Sequence, residues 1–266
     1  MNEAEVGKTD LSNANLSHTL LGFANLKGVW LVGANLSNSS LTESDVSNAN
    51  LSSANLTGAM LEGANLSDSD LRNADLTRAK LGDANLSSAD LSNANLTEAE
   101  LHSAQLEYAD LKKANLTGAM LNKANLNFSD LSYANLKGAE LYNATMEDVD
   151  LTYANLQGAY LEGAYLSTAN LSNADLQSAV LIDARLQLAN LSHTKLNNAD
   201  LNKAFMSQAN LENADLSNAN LSNADLSNAK LTNANLTNAD LTNAKLGNAT
   251  WTDGRTCANW SIGVCR

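Results

Sequence analysis

Residues 214–249 read ADLSNANLSNADLSNAKLTNANLTNADLTNAKLGNA. Leu returns at every fifth residue, Ala stands two positions before each Leu, and the residue between them is mostly Asn or Asp. A strand repeats its side-chain direction every two residues and an α-helix about every 3.6, so neither explains this spacing. The stretch therefore predicts a repeat architecture built from a five-residue unit.

The same register extends over nearly the whole chain. It begins with Val6 as the first central residue and continues to Trp251 through fifty units without an insertion. Each unit supplies one large and one small apolar residue for a buried side and three polar residues for an exposed side. We therefore divide the chain into an N-terminal tail (1–3), a repeat domain (4–251) and a C-terminal cap (252–266).

Residues twenty apart share a chemical character. Positions 15, 35 and onward to 175 are all Asn or Asp, whereas positions 20, 40 and onward to 180 include neither. A coil of fifteen residues would mix these two columns, but a coil of twenty keeps them apart. The sequence therefore predicts that four units make one coil and that the four sides of the coil differ.

The tandem A(N/D)LXX unit, sustained over residues 4–251, resembles the pentapeptide-repeat family, and its Leu centres and Asp253-Gly254 tail are similar to cyanobacterial members. The resemblance implies an all-β fold, a right-handed quadrilateral β-helix of about twelve coils of twenty residues with a short C-terminal cap. It also implies that the Leu and the preceding small residue point inward. Corners are expected two residues after each centre, where Asn and Gly tolerate left-handed backbone angles.

Composition limits the function classes. The net charge of −13 argues against direct nucleic-acid binding through a basic patch, and leaves a basic protein partner or mimicry of nucleic acid. No apolar run reaches the length of a membrane span. The three histidines, His18, His102 and His193, are coils apart, and no phosphate loop or metal-ligand spacing is present. We therefore expect no enzyme activity, no cofactor, no metal site and no small-molecule substrate.

The only two cysteines, Cys257 and Cys265, lie in the tail. We favour a disulfide that closes the cap, with two free thiols as the alternative. Trp260, Ile262 and Val264 are expected to cover the open edge of the final coil. The compartment stays open: cytoplasmic, or periplasmic, lumenal or secreted if the cysteines are bridged and a signal peptide was removed.

Five aspartates, which we call the acidic ladder, occupy one column on five consecutive coils. Like charges directly opposite one another are destabilising, so such a column has a cost in stability. A basic partner or cations would offset that cost, and Arg72, Lys112 and Lys113 are expected to neutralise part of it. The alternative is simple interchange of Asn and Asp at this position. The acidic ladder comprises Asp70, Asp90, Asp110, Asp130 and Asp150.

A second candidate is a group of apolar and tyrosine side chains, which we call the tyrosine patch. Residues 139–184 around it contain seven acidic residues and no Lys or Arg. An exposed apolar and Tyr-rich surface with polar surroundings is typical of protein-binding sites. The alternative is that these side chains have no function and arose by neutral variation on a surface that tolerates it. The tyrosine patch comprises Tyr142, Tyr160, Tyr165, Val180 and Ile182.

Three binding functions compete at this point. The leading hypothesis is a non-enzymatic scaffold or protein-interaction module that presents rigid faces. The second, implied by the resemblance, is a DNA mimic that binds and protects a type II topoisomerase (gyrase), although no centre is Phe and no loop interrupts the repeat. The third is ice binding by the column Thr57, Thr77, Thr97 and Thr117. The sequence leaves the oligomeric state and the identity of a partner open.

Overall fold

The computed structural model describes residues 9–266. The predicted N-terminal tail (1–3) and the first unit around Val6 lie outside the described residues. From residue 10 to residue 250 each unit follows the same course: a bridge residue, the central residue, two turn residues and the small residue. No residue of the described range is helical, and the predicted all-β solenoid is confirmed.

Parallel bridges join residues twenty apart, from Asp10↔Trp30 to Lys230↔Thr250. The bonds around one bridge show the pattern: the Leu31 N–H donates to the Asn50 carbonyl at 2.7 Å, and the Asn50 N–H donates to the Val29 carbonyl at 2.9 Å. Each bridge is isolated because a turn follows within two residues, so the strands are single-bridge segments rather than long ladders. Four bridge positions fall within every twenty residues, which creates four columns along the rod.

The corners lie where the sequence predicts them, two residues after each centre. From Asn13 to Asn248 the non-glycine residues at this position have φ between 54° and 63°. Asn and Gly adopt such angles at little cost, whereas a bulky side chain is unusual there. A short bond within the unit closes the turn, as where the Ala54 N–H donates to the Leu51 carbonyl at 2.9 Å. The corner residues point outward and are mostly exposed.

The interior is a column of Leu and Ala. Leu136 and Ala134 represent it, with 0% and 1% of their surface exposed. Because each centre packs on the centres of the coils above and below, every interior coil buries the same apolar surface. Burial of a Leu side chain stabilises by roughly 1.5–3 kcal/mol, and this small term is repeated along the rod.

The bridge residues explain why Asn and Asp recur. Their Oδ1 accepts the backbone N–H two residues later, as Asn50 does from Ser52 at 3.0 Å. The Nδ2 of Asn can also donate to the equivalent Oδ1 one coil earlier, as Asn155 does to Asn135 at 3.0 Å. Asn can therefore both donate and accept along the side-chain ladder, whereas Asp can only accept, as Asp45 does from Asn65 at 3.3 Å.

The C-terminal tail folds back on the last coil. Antiparallel bridges join Lys245 to Ile262 and Thr250 to Thr256, and the Cys257–Cys265 disulfide closes the tail with an Sγ–Sγ distance of 2.05 Å.

The expectation that Trp260, Ile262 and Val264 cover the final coil is wrong. Trp260 is 70% exposed, and Ile262 and Val264 are also exposed. The tail turns at Asn259 and Trp260 and bends at Gly263 and Val264, where Gly263 has a φ of 67°, and these turns leave the large apolar side chains facing solvent. The inward side carries Ser261 and Cys265, which are buried. Small polar and disulfide-bonded side chains, rather than large apolar ones, therefore close this end.

Candidate interaction surfaces

The tyrosine patch is partly assembled by the coil. Tyr160 bridges Val180 on the next coil, and its ring stacks on that of Tyr142 with centroids 5.8 Å apart. The carbonyl of Ile182 accepts the Gly163 N–H at 2.9 Å, which places Ile182 two coils from Tyr142 in the same column. The structure therefore brings Tyr142, Tyr160, Val180 and Ile182 to one side of the rod.

Tyr165 lies on the neighbouring side instead. It bridges Thr145 and Arg185, and the Arg185 guanidinium lies over the Tyr165 ring at 4.6 Å from its centroid. A cation over an aromatic face is attractive, so this ring is already occupied by a group of the same chain. Arg185 was missed because it falls one residue beyond the cation-free segment, although it is only one coil away from Tyr165.

The side chains that surround Tyr142 are polar and acidic. The Tyr142 N–H donates to Asn122 Oδ1 at 3.1 Å, and Asn122 Nδ2 donates to Glu140 Oε2 at 3.0 Å. Desolvation raises the pKa of Tyr142, and the charges of Glu140 and Glu162 and the neighbouring Tyr160 raise it further. Tyr142 therefore stays a neutral hydroxyl donor beside carboxylates.

The acidic ladder is continuous in space. Bridges join each aspartate to the next, from Asp70 to Asp150. In all five, Oδ1 accepts the backbone N–H two residues later at 2.8–3.1 Å. The five carboxylates are thus held in one orientation by their own turns, with consecutive rungs about 4.8 Å apart.

Cations neutralise only one end of the acidic ladder. Arg72 contacts Asp70 Oδ2 at 2.6 Å and Asp90 Oδ2 at 3.6 Å, and its hydrogen bond lowers the pKa of Asp70. Lys112 and Lys113 follow Asp110 directly in the sequence, but between residues 9 and 266 neither forms an ion pair with the ladder. Asp110, Asp130 and Asp150 therefore lack an ion-pairing cation in the described chain.

Sequence reasoning missed two aromatic pairs at the corners. Tyr108 stacks on Phe128 with centroids 5.1 Å apart, and Tyr133 stacks on Tyr153 at 5.0 Å. All four rings are between 48% and 62% exposed. The signal was present, because both pairs are spaced by twenty at the corner position.

The structure assembles no group of three His, Cys, Asp or Glu residues suited to a metal ion within residues 9–266. His18, His102 and His193 lie in three different columns of the coil. The described part of the chain also contains no helix with the length and apolarity that a membrane span requires.

A continuous apolar interior, a regular coil and variable outward columns define a solenoid repeat protein, a class that presents extended rigid surfaces. A family model described as pentapeptide repeats matches this chain in overlapping blocks, and the chain belongs to the pentapeptide-repeat family. The matched blocks are residues 9–48, 19–58, 49–87, 74–107, 99–138, 109–148, 129–167, 169–208 and 209–248.

Solved structures of the same family resemble this chain. HetL, a pentapeptide repeat protein involved in heterocyst differentiation regulation from the cyanobacterium Nostoc sp. strain PCC 7120, is 36% identical, with a TM-score of 0.40 and coverage of 82% of this chain and 91% of its own. Rfr23 from the cyanobacterium Cyanothece 51142 is also 36% identical, with a TM-score of 0.41, and covers 42% of this chain and 90% of its own.

A more distant match is QnrB1, a plasmid-mediated fluoroquinolone resistance protein, at 21% identity, TM-score 0.41, and coverage of 73% of this chain and 92% of its own. Curated protein sequences provide no significant match to this chain.

Proposed function

We propose that this protein is a non-enzymatic scaffold that binds another protein through the tyrosine patch. In this proposal the described part of the repeat, residues 9–251, forms a right-handed, four-sided β-helix, and the cap is residues 252–266. The rod supplies rigidity and the outward columns supply specificity. The proposed contact surface is the side formed by Tyr142, Tyr160, Val180 and Ile182, with Tyr165 at its margin.

The stacked Tyr142–Tyr160 pair is the observation that supports this proposal. Tyr160 is 41% exposed, and the two rings contact each other outside the apolar core. Tyrosine offers a large contact area with few rotatable bonds and a hydroxyl at its edge, which is why it is enriched at interfaces. Val180 and Ile182 extend the apolar area by one coil beyond Tyr160.

The test is a comparison of partner capture by two variants of equal charge. Tyr160→Glu with Ile182→Lys changes the patch without changing net charge. Asn220→Glu with Ser222→Lys makes the same change in the same columns, farther along the rod. Affinity capture with quantitative mass spectrometry should show partners that the first variant loses and the second retains. Equal capture by both variants, each with wild-type circular dichroism, would eliminate the patch as the binding site.

The DNA-mimic function is the alternative, and the net charge of −13 favours it. A rod with a column of carboxylates resembles the charge pattern of a duplex backbone. A gyrase supercoiling assay tests it, since a mimic inhibits the enzyme or protects it from poisons at micromolar protein. An unchanged supercoiling rate would discard the alternative and leave the scaffold function in place.

The cysteines support a proposal for the compartment. The disulfide between Cys257 and Cys265 is typical of an oxidising environment. We therefore favour periplasmic, lumenal or secreted placement over cytoplasmic placement. Thiol titration of the protein isolated under denaturing, alkylating conditions tests this, and two reactive thiols per chain would contradict it.

A further inference from the structure

We propose that the two exposed aromatic corner pairs and the acidic ladder between them form a docking surface for an extended, arginine-rich segment of a partner protein. This surface lies on a different side of the rod from the tyrosine patch. It rests on the proposed interaction function only in that both surfaces recognise protein.

The aromatic pairs border the acidic ladder on both sides. Phe128 is the corner residue that precedes Asp130 by two positions, and Tyr133 is the corner residue that follows it by three. Through stacking, Tyr108 extends the first border by one coil and Tyr153 extends the second in the opposite direction. Asp130 thus lies between two rings, whereas Asp110 lies between Tyr108 and Lys113 and Asp150 between Asp148 and Tyr153.

The fold does not require these rings. At other corners Asn, Ser and Gly occupy the same position with the same positive φ, and these residues adopt it with less strain than an aromatic side chain. The rings bury no part of themselves in the apolar core and instead present about half of their surface to solvent. A partner is therefore the simplest source of the free energy that offsets their exposure.

The fold does not require the carboxylates either. In the same column Asn190 donates its Nδ2 to Asn170 Oδ1 at 3.1 Å, and Asn210 does the same to Asn190 at 3.4 Å. Asn at residues 110, 130 and 150 would keep the turn, add this ladder bond and remove like-charge repulsion. The aspartates forgo these stabilising effects.

Charge complementarity identifies the occupant. Asp110, Asp130 and Asp150 use Oδ1 in their own turns, and their Oδ2 atoms form no ion pair with any residue from 9 to 266. A guanidinium can donate to these oxygens and stack against the flanking rings at the same time. An extended segment advances about 3.3 Å per residue, so arginines at alternate positions come within reach of successive or alternate rungs.

The test uses a fluorescein-labelled octa-arginine peptide and fluorescence anisotropy in 300 mM salt, where long-range attraction to the acidic rod is screened. Replacing Asp110, Asp130 and Asp150 together by Asn should weaken binding about tenfold. The matched control replaces Asp200, Asp215 and Asp225 by Asn. It removes the same charge from bridge positions on the other three sides of the rod, and should weaken binding less than about twofold.

A second pair of variants tests the rings. Phe128→Asn with Tyr133→Asn should weaken binding about threefold or more. Phe23→Asn with Leu188→Asn removes two exposed apolar corner residues elsewhere and should leave affinity unchanged. Circular dichroism and thermal unfolding confirm that each variant retains the fold, which corner substitutions to Asn are expected to preserve.

Equal weakening by the two aspartate triples would show that only the overall charge attracts the peptide, and would overturn the proposal. Full affinity in the Phe128 and Tyr133 variant would overturn it as well. Tyr160→Glu with Ile182→Lys should leave octa-arginine binding unchanged while abolishing capture at the tyrosine patch. The two proposals can therefore fail separately.

Discussion

Asp130→Asn is expected to stabilise the free protein. Asp130 bridges Asp110 on one side and Asp150 on the other, so the change removes two like-charge contacts at once. Asn keeps the Oδ1 that accepts the Ser132 N–H at 2.8 Å. It also gains an Nδ2 that can donate to the rung before it, as Asn190 does to Asn170.

The magnitude follows from those contacts. Like charges directly opposite each other cost about 0.2–1 kcal/mol per pair, and a new hydrogen bond contributes about 0.5–1.5 kcal/mol when fully formed. Because Asp130 is only half-buried, both contributions are reduced by solvent. We expect a net gain of about 0.5–1.5 kcal/mol at low salt, which for a chain of this length raises Tm by about 1–5 °C.

Thermal unfolding followed by far-UV circular dichroism at 20 mM and at 1 M salt measures the gain. The Debye length falls to about 3 Å at 1 M, so the electrostatic part of the gain should be lost there while the hydrogen-bond part persists. Asn170→Asp is the mirror variant. It places a carboxylate beside Asp150 while keeping the Oδ1 that accepts Asn190 Nδ2, so it should lower Tm at 20 mM salt through repulsion alone.

The reasoning fails if Asp130→Asn lowers Tm at 20 mM salt, because the ladder aspartate would then have a structural role that Asn cannot fill. It fails equally if the gain is the same at 20 mM and 1 M salt, since no repulsion would then be present to screen. Combined with the peptide experiment, the variant should move stability and octa-arginine affinity in opposite directions.

Three further predictions concern the core, the cap and an ion pair. Leu136→Ala, at a site with 0% exposure, should destabilise the rod by about 2–5 kcal/mol, because the neighbouring coils cannot close the cavity. Urea unfolding measures this loss, and a value below about 1 kcal/mol would contradict a tightly packed interior. Replacing Cys257 and Cys265 together by Ser should destabilise the cap by roughly 2–3 kcal/mol, and hydrogen exchange should locate the increase in residues 244–266 while mid-rod amides keep their protection. Arg72→Gln should lower stability near pH 6 but not near pH 2. Arg72 depresses the pKa of Asp70 below its ordinary value of 3.8. The stabilisation by this ion pair is therefore present above that value and disappears as pH falls through the folded-state pKa of Asp70. A pH-independent effect of Arg72→Gln on unfolding midpoints would show that lost packing, not the ion pair, is responsible.

The repeat predicts most of the fold because each position of the unit has a single structural role. Leu136 and its equivalents are buried in every interior coil, and the corner residues adopt the predicted left-handed angle. The cap is different, since its residues occur once and no periodicity reports their direction. Trp260 is apolar and is therefore expected to point inward, but it lies in a turn and faces solvent while Ser261 is buried.

The interaction surfaces are harder to predict because they depend on neighbours one coil away. Tyr142 and Tyr160 were grouped correctly, since they lie in adjacent columns of successive coils. Arg185 and Tyr165 were not, although their spacing of twenty makes them direct neighbours. Composition over a continuous segment hides such pairs, whereas comparing residues twenty apart reveals them.

Comparing residues twenty apart also shows which side chains the fold requires and which it does not. Asn at a bridge position can accept the turn N–H and also donate along the ladder, whereas an aspartate stacked on another aspartate has no ladder donor and adds like-charge repulsion. An aromatic residue at a corner position likewise adopts a left-handed backbone conformation that is strained for its type, and its ring is not buried in the apolar core. Either departure alone is within the tolerance of a solenoid surface. Their coincidence on neighbouring coils places Asp130 between two exposed rings and places Asp110 and Asp150 each beside one. Because independent drift of each column provides no reason for that arrangement, the middle coils are where a partner should be sought first.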